Sequence, residues 1–268
     1  MIDFDRGLSL YDHSKILSRL FYPRREIVED SERPKAMNRF VPVAKGVSIG
    51  CCFYPVRSDS PNILFFHGNG ETVTDYDYVA PVYGERSLNL FVADYRGYGM
   101  SGGSPTCMSM IKDTHPIFHD FKTFIKGIGF NGDIFVMGRS LGSAPAIEIA
   151  YHYQGEVKGL ILESGFASAK NQLARMGVTH LFKDIENPIG FGNDLKIRDV
   201  TIPTLIIHGQ SDEIIPVTEG RLLYELSGAG EKYSLFIPRA GHNNIMILGL
   251  QAYMQAIVRL VHNVSQDR

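Results

Sequence analysis

The sequence predicts an α/β fold: a mostly parallel, doubly wound sheet of about seven or eight strands, flanked by helices and carrying a small cap. Short apolar runs recur along the chain, each followed by a turn and then a stretch of helical character. The central runs ILFF, LFVA, IFVM, LIL and LII are nearly continuous in apolar residues. Strands covered on both faces read this way, whereas half-exposed strands alternate. With 268 residues, 44% hydrophobic and 21% charged, the chain is long enough to bury one core as a single domain, 1–268.

In order, strands are expected at 47–54, 62–67, 89–94, 133–138, 157–163, 204–208 and 233–237. Helices are expected near 114–126, 141–153, 217–226 and 243–261. In such sheets ligands bind beyond the carboxyl ends of the strands, so the polar, glycine-rich turns there are where chemistry is sought. Residues 167–203 form a small cap-like insertion, with AKNQLARMGVTHLF as its helical candidate and GFGN as a turn. A fairly open site follows from so short a cap. Leu173, Met176, Val178, Leu181 and Phe182 are candidates for contact with an acyl chain, or equally for core.

A net charge of −2 excludes the broad basic surface that binds nucleic acid. Cys51, Cys52 and Cys107 cannot form a disulfide framework and read as buried or idle thiols, with the cytoplasm as the expected location. No His/Cys cluster has zinc-ligand spacing, so neither a metal nor a cofactor is expected. The N-terminus lacks a long apolar run and begins with acidic residues, unlike a secretory signal or a membrane span. Residues 15–25 mix Ile16, Leu17, Leu20, Phe21 and Tyr22 with Lys15, Arg19, Arg24 and Arg25. They suit either a segment packed on the protein body or peripheral contact with a membrane.

The strongest chemical signal is Gly138-Arg139-Ser140-Leu141-Gly142, between the strand IFVM and the helix beginning LGSAPAIEIA. A serine hydroxyl is a weak nucleophile at neutral pH and must be raised to where a base can reach it. A tight strand-to-helix turn does this, with small residues two before and two after the serine. The same turn aims the Leu141 N–H at developing negative charge. A second such donor is expected from His67-Gly68-Asn69-Gly70, where glycines let the backbone approach a substrate. Asn69 is the candidate and Gly70 the next. His67, ending a buried strand, reads as fixing loop geometry rather than as the general base.

His242, in Gly241-His242-Asn243-Asn244 after the last strand, is the candidate base. Asp212, in HGQSDEIIP after the strand TLIIH, is the candidate acid that orients the imidazole. Glu163, at the end of LILE, is a competing acid; its other reading is as an ion-pair partner for Arg139 across neighbouring strand ends.

Five motifs occur in order: HGNG at 67–70, DYRGYGMSGGSP at 94–105, GRSLG at 138–142, HGQSDEIIP at 208–216 and AGHNN at 240–244. Over roughly residues 43–261 the chain resembles the alpha/beta-hydrolase superfamily. It is most similar to a branch of small, nearly lidless serine hydrolases with an HGN oxyanion motif, which includes membrane-associated members and protein depalmitoylases. The resemblance implies the alpha/beta-hydrolase fold, with Ser140 as nucleophile, Asp212 as acid, His242 as base, and the Asn69 and Leu141 amides as oxyanion hole. Tyr95 and Tyr98 in the second motif either line an apolar pocket or hold a conformationally demanding loop. Members with a membrane role usually carry an N-terminal span or a lipidated cysteine cluster, and neither is expected here.

The expected reaction is two-step hydrolysis of a small-molecule carboxylic ester or thioester through an acyl-enzyme. The alternatives are a peptidase or amidase with the same triad, and a non-catalytic binding protein on the same fold.

Overall fold

The computed structural model describes residues 2–26, 36–182 and 188–266. The chain opens with two short helices, α1 (Phe4–Tyr11) and α2 (Ser14–Leu20). Each begins on a side-chain cap: Asp3 accepts from the Arg6 N–H, and His13 Nδ1 from the Lys15 N–H. Strands β1 (Met37–Ala44), β2 (Val47–Tyr54) and β3 (Asn62–Phe66) follow, then a 3-10 turn, α3 (Ala80–Gly84) and β4 (Asn89–Ala93). Next come α4 (Cys107–Lys112), α5 (Thr114–Gly127), β5 (Ile134–Arg139), α6 (Ser143–His152) and β6 (Gly159–Glu163). The last third holds α7 (Ala169–Arg175), α8 (Asn193–Asp199), β7 (Thr204–Gly209), α9 (Val217–Leu226), β8 (Lys232–Ile237) and α10 (Ile245–Gln266).

The eight strands form one sheet in the order β1-β2-β4-β3-β5-β6-β7-β8. The β1–β2 and β2–β4 pairs are antiparallel and all others parallel. Seven strands lie where the apolar runs place them. The eighth, β1, has no such run: MNRFVPVA sits at the sheet edge, mostly solvent-facing, where Pro42 is tolerated. The continuous hydrophobicity of the central strands is explained by two helical layers. Leu64, Phe66, Leu160 and Leu162 face the layer containing Phe121 of α5 and Ile147 of α6. Ile63, Phe65 and Ile161 face Tyr83 of α3 and Tyr253 and Ile257 of α10.

Helices α5, α9 and α10 match their expected spans, while the one expected from 141 begins as a 3-10 turn, Ser140–Gly142, before α6. Helices α3, α4 and α8, of 5, 6 and 7 residues, are too short for apolar spacing to repeat in sequence. By length and composition, Ile245–Val264 could cross a membrane. Its Tyr253, Met254, Ile257, Leu260 and Val261 are buried in the core on one face of the sheet.

The N-terminal helices pack on the opposite layer, burying Leu8, Tyr11, Ile16, Leu20 and Phe21. The Tyr11 hydroxyl donates to the Ala169 carbonyl at 3.0 Å. Of the two readings for residues 15–25, packing on the body describes Ile16, Leu20 and Phe21, whereas Tyr22 stays exposed. The cap-like stretch 167–203 holds α7, a 3-10 turn at Thr179–Phe182 and α8; residues 183–187 and the Phe182 side chain lie outside the described residues. Leu173 and Val178 are core.

Candidate active site

At the carboxyl end of β5 the chain turns immediately into the 3-10 turn that leads to α6. Ser140 adopts φ +53°, a left-handed conformation rare outside glycine. The flanking glycines explain the motif atom by atom. A Cβ on Gly138 would stand 2.1 Å from the Gly142 carbonyl oxygen, and one on Gly142 2.1 Å from the Phe66 carbonyl oxygen. The serine so presented is 7% exposed.

The structure brings the three separated candidates together. His242 Nε2 lies 2.9 Å from Ser140 Oγ, and His242 Nδ1 lies 2.7 Å from Asp212 Oδ2. Asp212 Oδ1 accepts the N–H groups of Ile214 and Ile215 at 2.9 and 2.8 Å. Burial by itself would raise the Asp212 pKa. The contacts from His208 and His242 and the Ile215 amide outweigh it and hold the carboxyl well below the usual carboxylate range. An ionised Asp212 favours the imidazole tautomer with its hydrogen on Nδ1, leaving Nε2 able to accept a proton.

His208 is a contact that sequence reasoning missed. Its Nε2 lies 2.8 Å from the Ile215 carbonyl oxygen and 3.4 Å from Asp212 Oδ2. Gly220 makes room for it, since a Cβ there would meet His208 Nδ1 at 2.5 Å. The signal available was its place four residues before Asp212 in one motif.

On the other side of Ser140, Leu141 occupies the first turn after the strand, where N–H groups lack intrahelical acceptors. The Asn69 N–H donates to no backbone carbonyl among the described residues. The Asn69 side chain is held from three directions. Its Oδ1 accepts from the Tyr98 hydroxyl at 2.6 Å and the Tyr22 N–H at 3.0 Å, and its Nδ2 donates to the Leu20 carbonyl at 2.7 Å. Tyr95 donates to the His67 carbonyl at 2.6 Å. Both tyrosines are buried and position the loop. His67 spends its ring nitrogens on Asp94 Oδ1 and the Gly68 carbonyl, 3.1 and 2.7 Å away.

The Arg139–Glu163 pair is present at 3.1 Å, the two residues lying side by side in the β5–β6 register. The guanidinium also pairs with Glu71, and donates to the His242 carbonyl at 2.8 Å and to Asn243 Oδ1 at 2.9 Å. Glu71 in turn accepts the Gly68 N–H at 2.9 Å. One side chain therefore ties the serine turn to the Asn69 and His242 loops.

A cleft of about 420 Å³ opens beside Ser140. Phe166 and Met176 form part of its wall, Ile214 another part, and Arg19 and Tyr22 of the N-terminal arm a third. The wall was expected from the cap and, in one reading, from Tyr95 and Tyr98; of the cap candidates Met176 lines it, the two tyrosines do not, and the arm supplies Arg19, Leu20 and Tyr22.

Alpha/beta hydrolase domain-containing protein 17B of Homo sapiens is 32% identical over 233 residues, spanning 84% of this chain and 73% of its own. The chain belongs to the alpha/beta-hydrolase superfamily. Alpha/beta hydrolase domain-containing protein 17C of Xenopus tropicalis is 31% identical over 231 residues, spanning 83% of this chain and 68% of its own. A family model described as serine aminopeptidase, S33, matches residues 58–187. Among solved structures, the esterase Pf2001 of Pyrococcus furiosus has the same fold, with a TM-score of 0.72 over 90% of this chain and 99% of its own, at 15% identity. The protein is thus a hydrolase enzyme of the alpha/beta-hydrolase superfamily.

Elsewhere on this alpha/beta-hydrolase scaffold, His115, Glu148 and His152 place one metal-binding atom each within 4.8 Å of one another. Two helices contribute them, so no ligand spacing shows in sequence. Lys196 Nζ pairs with Glu148 Oε2 at 2.6 Å. Burial would raise Glu148, but His115 and Lys196 overcome it and hold the carboxyl at about 2. With that cation in place, the group reads as an ion cluster joining α5, α6 and α8.

Proposed function

We propose that the protein is a serine esterase or thioesterase that works through Ser140, His242, Asp212 and an acyl-enzyme. The observation that carries this reading is the unbroken chain of contacts from Asp212 through His242 to Ser140, at 2.7 and 2.9 Å, in a cleft that Leu141 and Asn69 also line. As Ser140 Oγ bonds to the substrate carbonyl carbon, its proton passes to His242 Nε2, and the imidazolium formed is stabilised by Asp212. The carbonyl oxygen becomes an oxyanion facing the Leu141 and Asn69 N–H groups. Collapse breaks the bond to the leaving oxygen or sulfur, which takes the proton from His242. Water oxygen then bonds to the acyl carbon as His242 takes a water proton, and collapse breaks the bond to Ser140 Oγ, which regains that proton from His242 as the carboxylic acid leaves.

The aminopeptidase description of the matching family model favours a second reading, amide cleavage next to a free amino group. An aminopeptidase has to hold a substrate ammonium, for which a carboxylate is the natural partner. Among the described residues, the cleft beside Ser140 is lined by two arginines and no carboxylate. This weighs toward ester and thioester substrates.

The test is turnover of a nitrophenyl ester, an acyl thioester and an aminoacyl anilide, with fluorophosphonate labelling in parallel. Ester and thioester should turn over fastest, Ser140→Ala should abolish labelling, and Asp212→Asn should lower kcat by roughly 10⁴-fold. Preferred cleavage of the anilide, or a folded wild type that does not label, would sink the reading.

A further inference from the structure

Ester cleavage alone gives no reason for the charge at the mouth of the cleft. The inner wall is largely apolar, with Leu141 and Phe166 buried beside the one buried amide of Gln172. Two guanidinium groups stand on the outer wall, Arg19 in the last turn of α2 and Arg175 in the last turn of α7. Arg175 lies 3.3 Å from Glu219 Oε1. That carboxylate is 1% exposed and already accepts from the N–H groups of Ala167 and Ser168 and from Asn171. Arg19 donates to the Met176 carbonyl and, among the described residues, pairs with no carboxylate. Beside them, Tyr22 and Ile214 are 59% and 55% exposed. A cationic rim around an apolar slot suits a ligand that is acidic at one point and hydrocarbon elsewhere, because guanidinium groups match phosphate and carboxylate oxygens in fork geometry.

We propose that the cleft takes an acyl substrate bearing an anionic group, a phosphate or a carboxylate. Arg19 and Arg175 hold that group at the mouth while the chain lies along Phe166 and Met176. The proposal rests on the ester or thioester reading and names the substrate class for it. The anion belongs either to a soluble ester or to the headgroup of a lipid in a membrane, and the same side chains meet both.

Binding is measured on Ser140→Ala protein, so that no turnover is needed, with decyl phosphate and uncharged decyl glucoside below their micelle concentrations. Decyl phosphate should bind about tenfold more tightly at low salt, and the margin should shrink as salt rises. Adding Arg19→Gln should cut the margin to about threefold or less, and Arg19→Lys, which keeps the charge, should restore most of it. Equal affinity for the two ligands, or a margin untouched by Arg19→Gln, overturns the proposal. Flotation with phosphatidylcholine vesicles, with and without phosphatidic acid, assigns the source. Flotation that needs both phosphatidic acid and Arg19 places the anion in a membrane, and its absence beside tight decyl phosphate binding places it in a soluble ester. Fluorophosphonate labelling of the wild type separates the two ideas. Normal labelling without anion preference removes this proposal alone, whereas anion preference without labelling removes the esterase reading and leaves only an anion-binding cleft.

Discussion

Arg139 occupies the position before the serine, and its guanidinium reaches Glu163, Glu71, the His242 carbonyl and Asn243. Burial would favour its neutral form, yet the two carboxylates raise its pKa further above the ordinary arginine value, so the charge is permanent. Arg139→Met would leave Glu71 and Glu163 without their cation, and breaking a largely buried pair costs about 3–5 kcal/mol. Urea unfolding should show that loss. Arg139→Lys should recover much of the stability but less of the Ser140 labelling rate, because an ammonium cannot span both the carboxylates and the His242 loop. Equal recovery of both would mean that Arg139 only stabilises the fold. The Glu163 contact was legible in sequence because neighbouring strand ends are adjacent by topology. Glu71 and His242 were not, since they lie 68 and 103 positions away in loops beyond the strand ends, where strand register fixes no partner.

The serine turn shows how closely one element is fitted to the next. Gly142 lies against the end of β3, where any Cβ would press on the Phe66 carbonyl. Gly142→Ala forces the turn off the sheet. It should cost roughly 1–3 kcal/mol, as overpacking does, and slow fluorophosphonate labelling by more than that loss of folded protein explains. A labelling rate equal to wild type would show that the turn relaxes freely. The central strands were legible because a short, continuous apolar run between turn residues fits a strand covered on both faces. Edge strand β1 was not, since Pro42 interrupts it and Val41 is its only buried residue; the short helices α3, α4 and α8 were not, since apolar spacing has too few turns over which to recur. The arm was legible as amphipathic, but its role as a cleft wall depends on contacts such as that from Arg19 to Met176, which only the tertiary structure makes.

Across the whole molecule, the ion cluster of His115, Glu148, His152 and Lys196 ties α5, α6 and α8 together on one face of the sheet. Glu148 is held at about 2, below its ordinary 4.5. A folded-state value below the unfolded one stabilises the protein above the unfolded value, and that stabilisation disappears as the pH falls toward 2. A shift of this size corresponds to about 3 kcal/mol at neutral pH. Glu148→Gln should therefore be less stable than wild type by about that amount near pH 7. The gap should narrow steadily between pH 4.5 and 2 in denaturant titrations. A gap independent of pH would show that ionisation of Glu148 is not its source.

The catalytic candidates were readable because each follows its own strand, largely buried for β5 and β7 and at the sheet edge for β8. The contacts that hold them were not, because they depend on how separate loops and the N-terminal arm fold against one another. The Asn69 clamp is the clearest instance: Leu20 and Tyr22 fasten its side chain through their backbones, while Arg19 and Tyr22 border the cleft. Seating of the arm and occupancy of the cleft are thus thermodynamically reciprocal. Whatever free energy the arm lends to a bound ligand, the ligand returns to the arm. Filling the cleft should accordingly protect the arm against protease by the same factor by which the arm tightens the ligand.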